Sequence, residues 1–425
     1  MATQTTSIPA EALRALEAQP FLQTLLGRRS RRFAKGASLP SGPLAYTSSA
    51  EPQPLSRAEE LLVLLATGGA TGWNYGIVYD DRPAIANYGG SAVGRPSISG
   101  AGFQVSDLFF TNDDGLFFLS TRDSASLAAP GASIDELLEA HRPLVRKLSD
   151  ERLHIPRQAP WLEPHNNFVV NKPGTTLILP VADLAQHLLA VIWYFVQNGY
   201  GLFDDLSGQP IAGIEQYADL LDLDSPRPLS FVEKHALAQV SVELATGAYA
   251  GALTLNAIGL GGWSFDGIDV FGLLGASGRD DYPGLGFRYD SDPSWATPNP
   301  TGLEGVFEGF TPPHVVDLEA ATRALVARKF GAGGPFNRDT AGPFRDNAAV
   351  RGGAVPASER AIEATALIAQ HIYDVHGRFP ATVPAVYARN YLQAHHLDLG
   401  FYDQHFGPGA YLDTHAKHDA RWHGA

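Results

Sequence analysis

The longest continuous helical pattern in the sequence runs from Phe231 to Ile258, and it restricts the possible folds more than any other segment. The pattern stops at Gly259-Leu260-Gly261-Gly262, where glycine can adopt the positive φ that ends a helix. Val105–Phe110 and Gly115–Thr121 are typical of two strands joined by a tight turn. Apolar periodicity and capping residues predict further helices over Ala10–Leu26, from a Ser56/Glu59 capping box onward, over Leu177–Gln197 and over Ser358–Val375.

The charge balance and the amino-acid composition exclude several classes of protein. The chain has 425 residues, enough for one large domain with elaborations or for two domains. Acidic residues outnumber basic ones by 45 to 31, and the net charge of −14 argues against nucleic-acid binding and, less strongly, against an anionic membrane surface. The sequence contains no cysteine, which excludes disulfides, thiolate metal sites and a cysteine nucleophile.

Signals for secretion or membrane insertion are absent from the sequence pattern. Residues 1–20 lack the apolar core of a signal peptide. The longest apolar run, Leu188–Val196, has nine residues, whereas a membrane span needs about 20. We therefore expect a cytoplasmic protein that has no membrane partner.

Several familiar catalytic motifs are missing. The sequence has no P-loop, no glycine-rich dinucleotide fingerprint after a strand, and no helical zinc-protease motif. The segment Gly262-Trp263-Ser264-Phe265-Asp266 departs from the nucleophile elbow of hydrolases because Asp266 stands where the last glycine is needed. Hydrolase functions therefore have no motif support.

Three segments remain as candidate ligand contacts, and each also has an ordinary structural interpretation. Arg28-Arg29-Ser30-Arg31-Arg32-Phe33 could bind a phosphate through guanidinium groups, or it could be a solvated basic turn. The small residues from Gly94 to Gly102 could let a planar ligand approach the backbone, or they could form a simple loop. Gly259–Trp263 could present backbone N–H groups to a cofactor, or it could be only a helix C-cap.

The C-terminal tail is rich in histidine. Six of the 14 histidines lie within 29 residues: His395, His396, His405, His415, His418 and His423. Imidazole and nearby carboxylates could form a metal site, but no known ligand spacing is met, so no metal is predicted. The alternatives are a polar, aromatic-rich interface segment, or one histidine that reaches the active site as a proton donor.

The order and spacing of the segments resemble those of the nitroreductase-like flavoprotein superfamily. The closest resemblance is to the branch that includes the azoline-oxidising dehydrogenases. The resemblance covers about residues 20–290, and four segments carry it: Arg28-Arg29-Ser30-Arg31-Arg32-Phe33; Pro54-Leu55-Ser56 with the glycines up to Gly72; Arg95-Pro96-Ser97-Ile98-Ser99-Gly100-Ala101; and Gly247–Gly261. The chain departs from the family in having Ala250-Gly251 where the family has Gln-Asn.

The resemblance implies an α+β fold with a central, mainly antiparallel sheet packed between helices. It implies a homodimer with FMN at the interface and the helix from Phe231 near the twofold axis. The expected boundaries are a flavin domain over residues 1–295, an insertion at about 141–228 and a C-terminal extension over 296–425.

The resemblance also implies roles for single residues. Arg28, Arg29, Ser30 and Arg32 would bind the phosphate and ribityl chain, and Arg288 would complete the phosphate site. Ser97, Ser99 and Gly100 would lie near the isoalloxazine ring, and Gly261 and Gly262 would offer backbone contacts. No catalytic acid or base is assigned, and the aromatic residues Trp73, Tyr75 and Tyr88 line the pocket or pack in the core.

The expected function is FMN-dependent hydride transfer to or from a small organic substrate, with NAD(P)H as a candidate co-substrate. The alternative is a degenerate family member that binds a ligand or partner without redox turnover.

Overall fold

The structure is a computed structural model that describes residues 7–74, 93–122, 131–168 and 170–424. Its helices are α1 Ala10–Glu17, α2 Phe21–Leu26, α3 Arg57–Gly68, α4 Ile134–His141, α5 Leu184–Gln197, α6 Leu229–Ile258, α7 Val270–Leu274, α8 Leu318–Phe330, α9 Asn347–Gly352, α10 Glu359–His376, α11 Leu399–His405, α12 Asp413–Ala416 and α13 His418–His423. Its strands are β1 Ser38–Leu39, β2 Tyr46–Thr47, β3 Gly72–Trp73, β4 Val93–Gly94, β5 Ser106–Asn112, β6 Gly115–Leu119, β7 Val145–Ser149, β8 Thr175–Asp183, β9 Tyr200–Phe203, β10 Asp222–Pro228, β11 Gly261–Phe265, β12 Arg288–Asp290, β13 Asn299–Leu303, β14 Phe307–Glu308, β15 Val386–Ala388 and β16 Tyr391–His395.

Seven strands form a central antiparallel sheet in the order β11-β16-β8-β5-β6-β7, with β15 also paired to β8. β15 and β16 lie end to end along the same edge of β8, and Asn390 between them has φ of +59°. The expected mixed fold with a central antiparallel sheet is therefore present.

One face of the sheet packs against α3 and the C-terminal half of α6. Leu108 and Phe110 of β5 and Ile178 of β8 point into this layer with Leu61 and Leu64 of α3. Adjacent side chains alternate between the faces because successive Cβ atoms of a strand point in opposite directions. The core on this side is therefore built from every second strand residue.

The other face is covered in a way that the sequence-based expectation did not include. Phe109, Leu177 and Leu179 point there and pack with Phe287, in the loop before β12, and with Phe307 of β14. This layer also contains the short α7 and the chain around Leu162. Long helices therefore cover one face of the sheet, and irregular chain with short elements covers the other. A separate cluster lies between α5, α6, α8 and α10.

Two predicted helices need correction. Residues 177–183 of the predicted helix Leu177–Gln197 belong to strand β8, and only α5 from Leu184 is helical. β8 is buried along its whole length, so it lacks the polar alternation by which a strand is recognised. The predicted helix Ala10–Leu26 is divided into α1 and α2, because Pro20 has no backbone N–H to continue α1.

The other local predictions are confirmed. α3 begins at the Ser56/Glu59 capping box, β5 and β6 form the predicted hairpin, α6 ends at Gly259 with φ of +90°, and α10 follows Ser358 as its N-cap. The expected 296–425 extension contributes β15 and β16 to the central sheet. Its boundary at residue 295 stays a prediction. Within the described chain, no helix combines the length and apolarity needed to span a membrane.

Candidate functional site

The arginine segment is fixed to the end of the central sheet. Arg31 and Gly262 form an antiparallel bridge in which Gly262 N donates to Arg31 O at 2.8 Å and Arg31 N donates to Gly262 O at 3.3 Å. The predicted phosphate-binding segment and the predicted glycine segment thus lie side by side. The Gly262 N–H is already used in this bridge.

Gly261 and Gly262 have a clear packing role. A Cβ on Gly262, where φ is +150°, would overlap the backbone oxygen of Gln393 in β16. A Cβ on Gly261 would lie 2.7 Å from Nε2 of His395. Glycine is needed here because β16 and the arginine segment approach β11 from two sides.

Arg31 is an internal structural residue. Its side chain is buried and donates from Nε to Ala410 O at 2.9 Å, from Nη1 to Asn256 Oδ1 at 2.5 Å and from Nη2 to Gly27 O at 3.2 Å. Burial, with a smaller effect of the charges of Arg29 and Arg28, lowers the pKa of the Arg31 guanidinium to about 10. Arg31 therefore stays charged at neutral pH and ties the segment to α6 and to the C-terminal tail.

The neighbouring arginines point outward around a pocket of about 540 Å³. We call it the arginine–aromatic pocket. The residues that line it are Arg29, Ser30, Arg31, Arg32, Phe33, Leu39, Leu44, Phe168, Phe401, Tyr402, Phe406, Gly409 and Ala410. Its mouth is cationic and its body is mostly aromatic and aliphatic.

The arginines at this mouth differ from the ion-paired arginines elsewhere in the described chain. Arg28, Arg29 and Arg32 have no carboxylate partner within the ranges that the structure describes; Arg28 lies over the Tyr249 ring and Arg32 over the Trp263 ring. Arginines elsewhere pair with carboxylates, among them Arg57, Arg152, Arg288, Arg323, Arg360 and Arg389. In a chain with a net charge of −14, unpaired arginines around a pocket favour an anionic ligand.

Tyr402 is the polar group of the pocket body. Its hydroxyl accepts a hydrogen bond from Phe33 N at 3.4 Å. Burial raises the pKa of the Tyr402 phenol, although backbone hydrogen bonds from Phe33 and Arg32 and the charges of Arg31 and Arg32 act in the opposite direction. The phenol is therefore protonated at neutral pH and can donate a hydrogen bond.

Ser97, Ser99 and Gly100 lie elsewhere in the same chain. Ser99 Oγ donates to Glu243 Oε2 at 2.6 Å, and a Cβ on Gly100 would collide with Gln239. Ser97 is buried beside α6. Glu243 precedes Asn256, the partner of Arg31, by 13 residues of α6, which is about 20 Å along a helix. Ser97, Ser99 and Gly100 do not line the arginine–aromatic pocket, so this pocket does not combine the predicted ring contacts with the predicted phosphate contacts.

Arg288 also lies apart from the arginine–aromatic pocket. Its guanidinium forms an ion pair with Glu308, across the small sheet of β12, β13 and β14. Its charge is thereby neutralised inside the protein. Trp73 is exposed and contacts Phe344, whereas Tyr75 and Tyr88 lie outside the described residues.

Sequence reasoning missed the aromatic half of the pocket. Phe401, Tyr402 and Phe406 come from α11 and the residue after it, and Phe168 comes from a distant loop. Phe401 stacks on Phe33 with ring centroids 4.1 Å apart. The density of aromatic residues in the tail was visible in the sequence, but its contact with Phe33 depends on the fold.

The tail histidines separate into different environments. His405 packs against Phe401 at the side of the pocket, with ring centroids 5.0 Å apart. Burial lowers the pKa of His395 to about 3, so this imidazole is neutral near pH 7. His396, His418 and His423 gather around Glu59 of α3.

Comparisons with known proteins leave the family of this chain open. No protein-family model matches the sequence, and no curated protein matches it significantly. The solved structures that match include a “putative nitroreductase” from Ralstonia eutropha JMP134, with 14% identity over 59% of this chain and 72% of that chain, at a TM-score of 0.29. This likeness is too distant to carry an argument.

Proposed function

We propose that the protein is an FMN-dependent oxidoreductase that transfers a hydride between the flavin and a small organic substrate, with NAD(P)H as the candidate reductant. The observation that carries the proposal is the group of unpaired arginines at the mouth of the arginine–aromatic pocket. The resemblance of the sequence segments to nitroreductase-like flavoproteins, of which the arginine segment is one, is a second support.

The residues of the pocket fit the two ends of FMN. Arg29, Ser30 and Arg32 offer guanidinium and hydroxyl donors to a phosphate, which arginine binds in a bidentate manner. Phe168, Phe401 and Phe406 offer apolar surface to an aromatic ring system. The volume of about 540 Å³ lies within the usual range of small-molecule sites.

When bound, FMN supplies the hydride-transfer chemistry. The chain's own residues position it and control its surroundings. Tyr402 holds a proton on its phenol oxygen and can donate it as a hydrogen bond inside the pocket. The aromatic side chains reduce the access of water, which strengthens the electrostatic effect of the nearby arginines.

We further propose that the protein acts as a homodimer. Exposed apolar side chains lie on α2 and α6: Phe21, Leu22, Leu26, Val242 and Tyr249. Ile98 is also exposed and lies beside α6, because its backbone oxygen accepts a hydrogen bond from the Thr246 hydroxyl. We call these six residues the apolar stripe. Exposed apolar surface of this kind is typical of an interface. A second copy on the stripe could combine the Ser97–Gly100 segment of one chain with the arginine segment of the other.

The first prediction compares FMN with riboflavin, which lacks the phosphate. The double variant Arg29→Ala/Arg32→Ala should bind FMN at least about 10-fold more weakly, because two charge-assisted contacts to the phosphate are lost. Its affinity for riboflavin should change by less than about 2-fold, because the aromatic contacts remain. Quenching of flavin fluorescence during titration measures both affinities.

The exposed Arg14 of α1 provides a control for the change in net charge. Arg14→Ala should bind both flavins like the wild type. Equal FMN affinity in the double variant and the wild type would contradict the assignment of the phosphate site. FMN that binds at this site but is not reduced by NADPH or NADH would favour the alternative of a binding protein without NAD(P)H turnover.

A further inference from the structure

A cluster of three histidines and one glutamate lies outside the proposed flavin pocket. Glu59, His396, His418 and His423 each offer one ligand atom, and these atoms all lie within 4.8 Å of one another. Glu59 comes from the first turn of α3, His396 follows β16, and the other two come from α13. Three chain segments, of which the first is far from the other two in sequence, therefore converge on one point.

The spacing of the ligand atoms matches that of a small tetrahedral site. The Nε2 atoms of His418 and His423 lie 2.8 and 3.1 Å from Oε1 of Glu59, and Nε2 of His396 lies 3.8 Å from Oε2 of the same carboxylate. Zinc bonds to nitrogen and oxygen of about 2.0–2.1 Å give a tetrahedron with edges of about 3.3–3.4 Å. This edge lies between the shortest of these distances, 2.8 Å, and the upper limit of 4.8 Å that holds for all pairs of the four ligand atoms.

A hydrogen bond on the far side of the His418 ring determines which ring nitrogen carries the hydrogen. Nδ1 of His418 lies 2.7 Å from the backbone oxygen of Ile258, an acceptor, so Nδ1 carries a hydrogen. In the neutral ring, Nε2 then turns a lone pair toward the Glu59 carboxylate. Two lone pairs at this distance repel each other unless a proton or a metal ion lies between them. A backbone bond on the far nitrogen is also the usual support of a metal-bound histidine.

His396 supplies an independent sign that a ligand belongs here. The side chain is 1% exposed, and neither ring nitrogen has a hydrogen-bond partner in the described part of the chain. Leaving a buried imidazole without partners is costly. Its Nε2 is directed at the same Glu59 carboxylate. A metal ion in the cluster would satisfy this nitrogen.

The surrounding charges permit a cation in the cluster. Lys35 is the nearby base, and its Nζ is paired with Asp419 Oδ2 at 2.7 Å and with Gln53 Oε1 at 2.7 Å. Glu59 Oε2 accepts the capping hydrogen bond from Ser56 N at 2.6 Å, while Oε1 faces His418 and His423. One oxygen of Glu59 thus stays available as a ligand while the other caps α3.

We propose that Glu59, His396, His418 and His423 form a structural Zn²⁺ site. Three imidazole nitrogens and one carboxylate suit zinc, and four protein ligands leave no open position for substrate. The ion would join the start of α3 to the end of β16 and to α13, and His418 would also link it to the end of α6. The site is independent of the proposed flavin function.

The test uses the full-length chain, stripped with a chelator and then titrated with Zn²⁺ or Co²⁺. We expect about one Zn²⁺ per chain to remain after gel filtration and the thermal midpoint to rise with added Zn²⁺. Co²⁺ should produce the intense visible bands of four-coordinate geometry. A wild-type protein that retains no metal and shows no thermal shift would overturn the site without any variant.

Substitutions then locate the ion. Glu59→Gln keeps the capping box, since glutamine also serves at that position, and His396→Gln keeps most of the side-chain volume. Each should weaken Zn²⁺ binding by at least about 10-fold. His405→Gln is the control, because His405 is a tail histidine outside the cluster, and it should retain the metal. Zinc retention in both cluster variants equal to that of the control would refute the assignment.

Discussion

At the scale of single residues, chemically identical arginines of one segment have two different environments. Arg31 points inward and bonds to three backbone or side-chain oxygens, whereas Arg29 and Arg32 point outward and have no carboxylate partner in the described chain. Arg31 and its direct neighbour Arg32 differ because successive residues of an extended segment point in opposite directions. The segment is thus both a structural anchor and the candidate anion site.

Replacing Arg31 should reduce the stability of the protein even when no ligand is bound. In Arg31→Lys, a single ammonium cannot reach Ala410 O, Asn256 Oδ1 and Gly27 O together, so buried acceptors lose their partners. The free energy of unfolding should fall by about 2–4 kcal/mol, measured by urea denaturation. Arg29→Lys, at an exposed position, should change it by less than about 0.5 kcal/mol. Equal effects of the two substitutions would show that Arg31 is not an anchor.

At the scale of elements, α6 organises the molecule through its close contact with α3. Gly247 and Gly251 are four residues apart and both face Thr67 at the end of α3. A Cβ on Gly247 would lie 2.5 Å from the backbone oxygen of Thr67. A Cβ on Gly251 would overlap the Thr67 side chain, which explains why glycine suits this position.

This contact predicts an unusual effect of alanine in a helix. Gly→Ala inside a helix normally stabilises it by about 1 kcal/mol. We expect Gly247→Ala to destabilise the protein by about 1–3 kcal/mol instead, because the Thr67 backbone would have to shift. Chemical denaturation measures the difference. Ala238→Gly, at an exposed position of α6, calibrates the helix propensity and should cost about 1 kcal/mol. A more stable Gly247→Ala variant would contradict the close contact.

At the scale of the whole molecule, the predicted Ser97–Gly100 ring contacts and the arginine segment both adjoin the apolar stripe. Ile98 of the stripe neighbours Ser97 and Ser99, and Leu26 precedes the arginine segment by two residues. A dimer across the stripe would therefore cover both segments. The oligomeric state and the composition of the site are linked in this proposal.

The double variant Leu22→Asp/Val242→Asp should convert the dimer to a monomer, because two carboxylates would be buried in an apolar interface. Light scattering after gel filtration should give about twice the chain mass for the wild type and about the chain mass for the variant. Val316→Asp is the control: Val316 is 85% exposed and lies outside the stripe, so this variant should remain dimeric. A monomeric wild type would contradict the proposed homodimer.

The sequence by itself determined the features that depend on near neighbours along the chain. The capping box of α3, the hairpin of β5 and β6, and the glycine end of α6 are local interactions, so they could be predicted from adjacent residues. The arginine segment could also be singled out, because four arginines in five positions are rare in an acidic chain.

Only the tertiary structure decided the features that depend on residues far apart in sequence. β8 could not be told from a helix, because burial on both faces removes the alternation of polar and apolar residues. Three further features require distant segments to meet: the aromatic residues of α11 in the arginine–aromatic pocket, the burial of the Arg31 side chain, and the cluster of Glu59 with the tail histidines. Such contacts follow from the packing of the whole chain, and no local pattern encodes them.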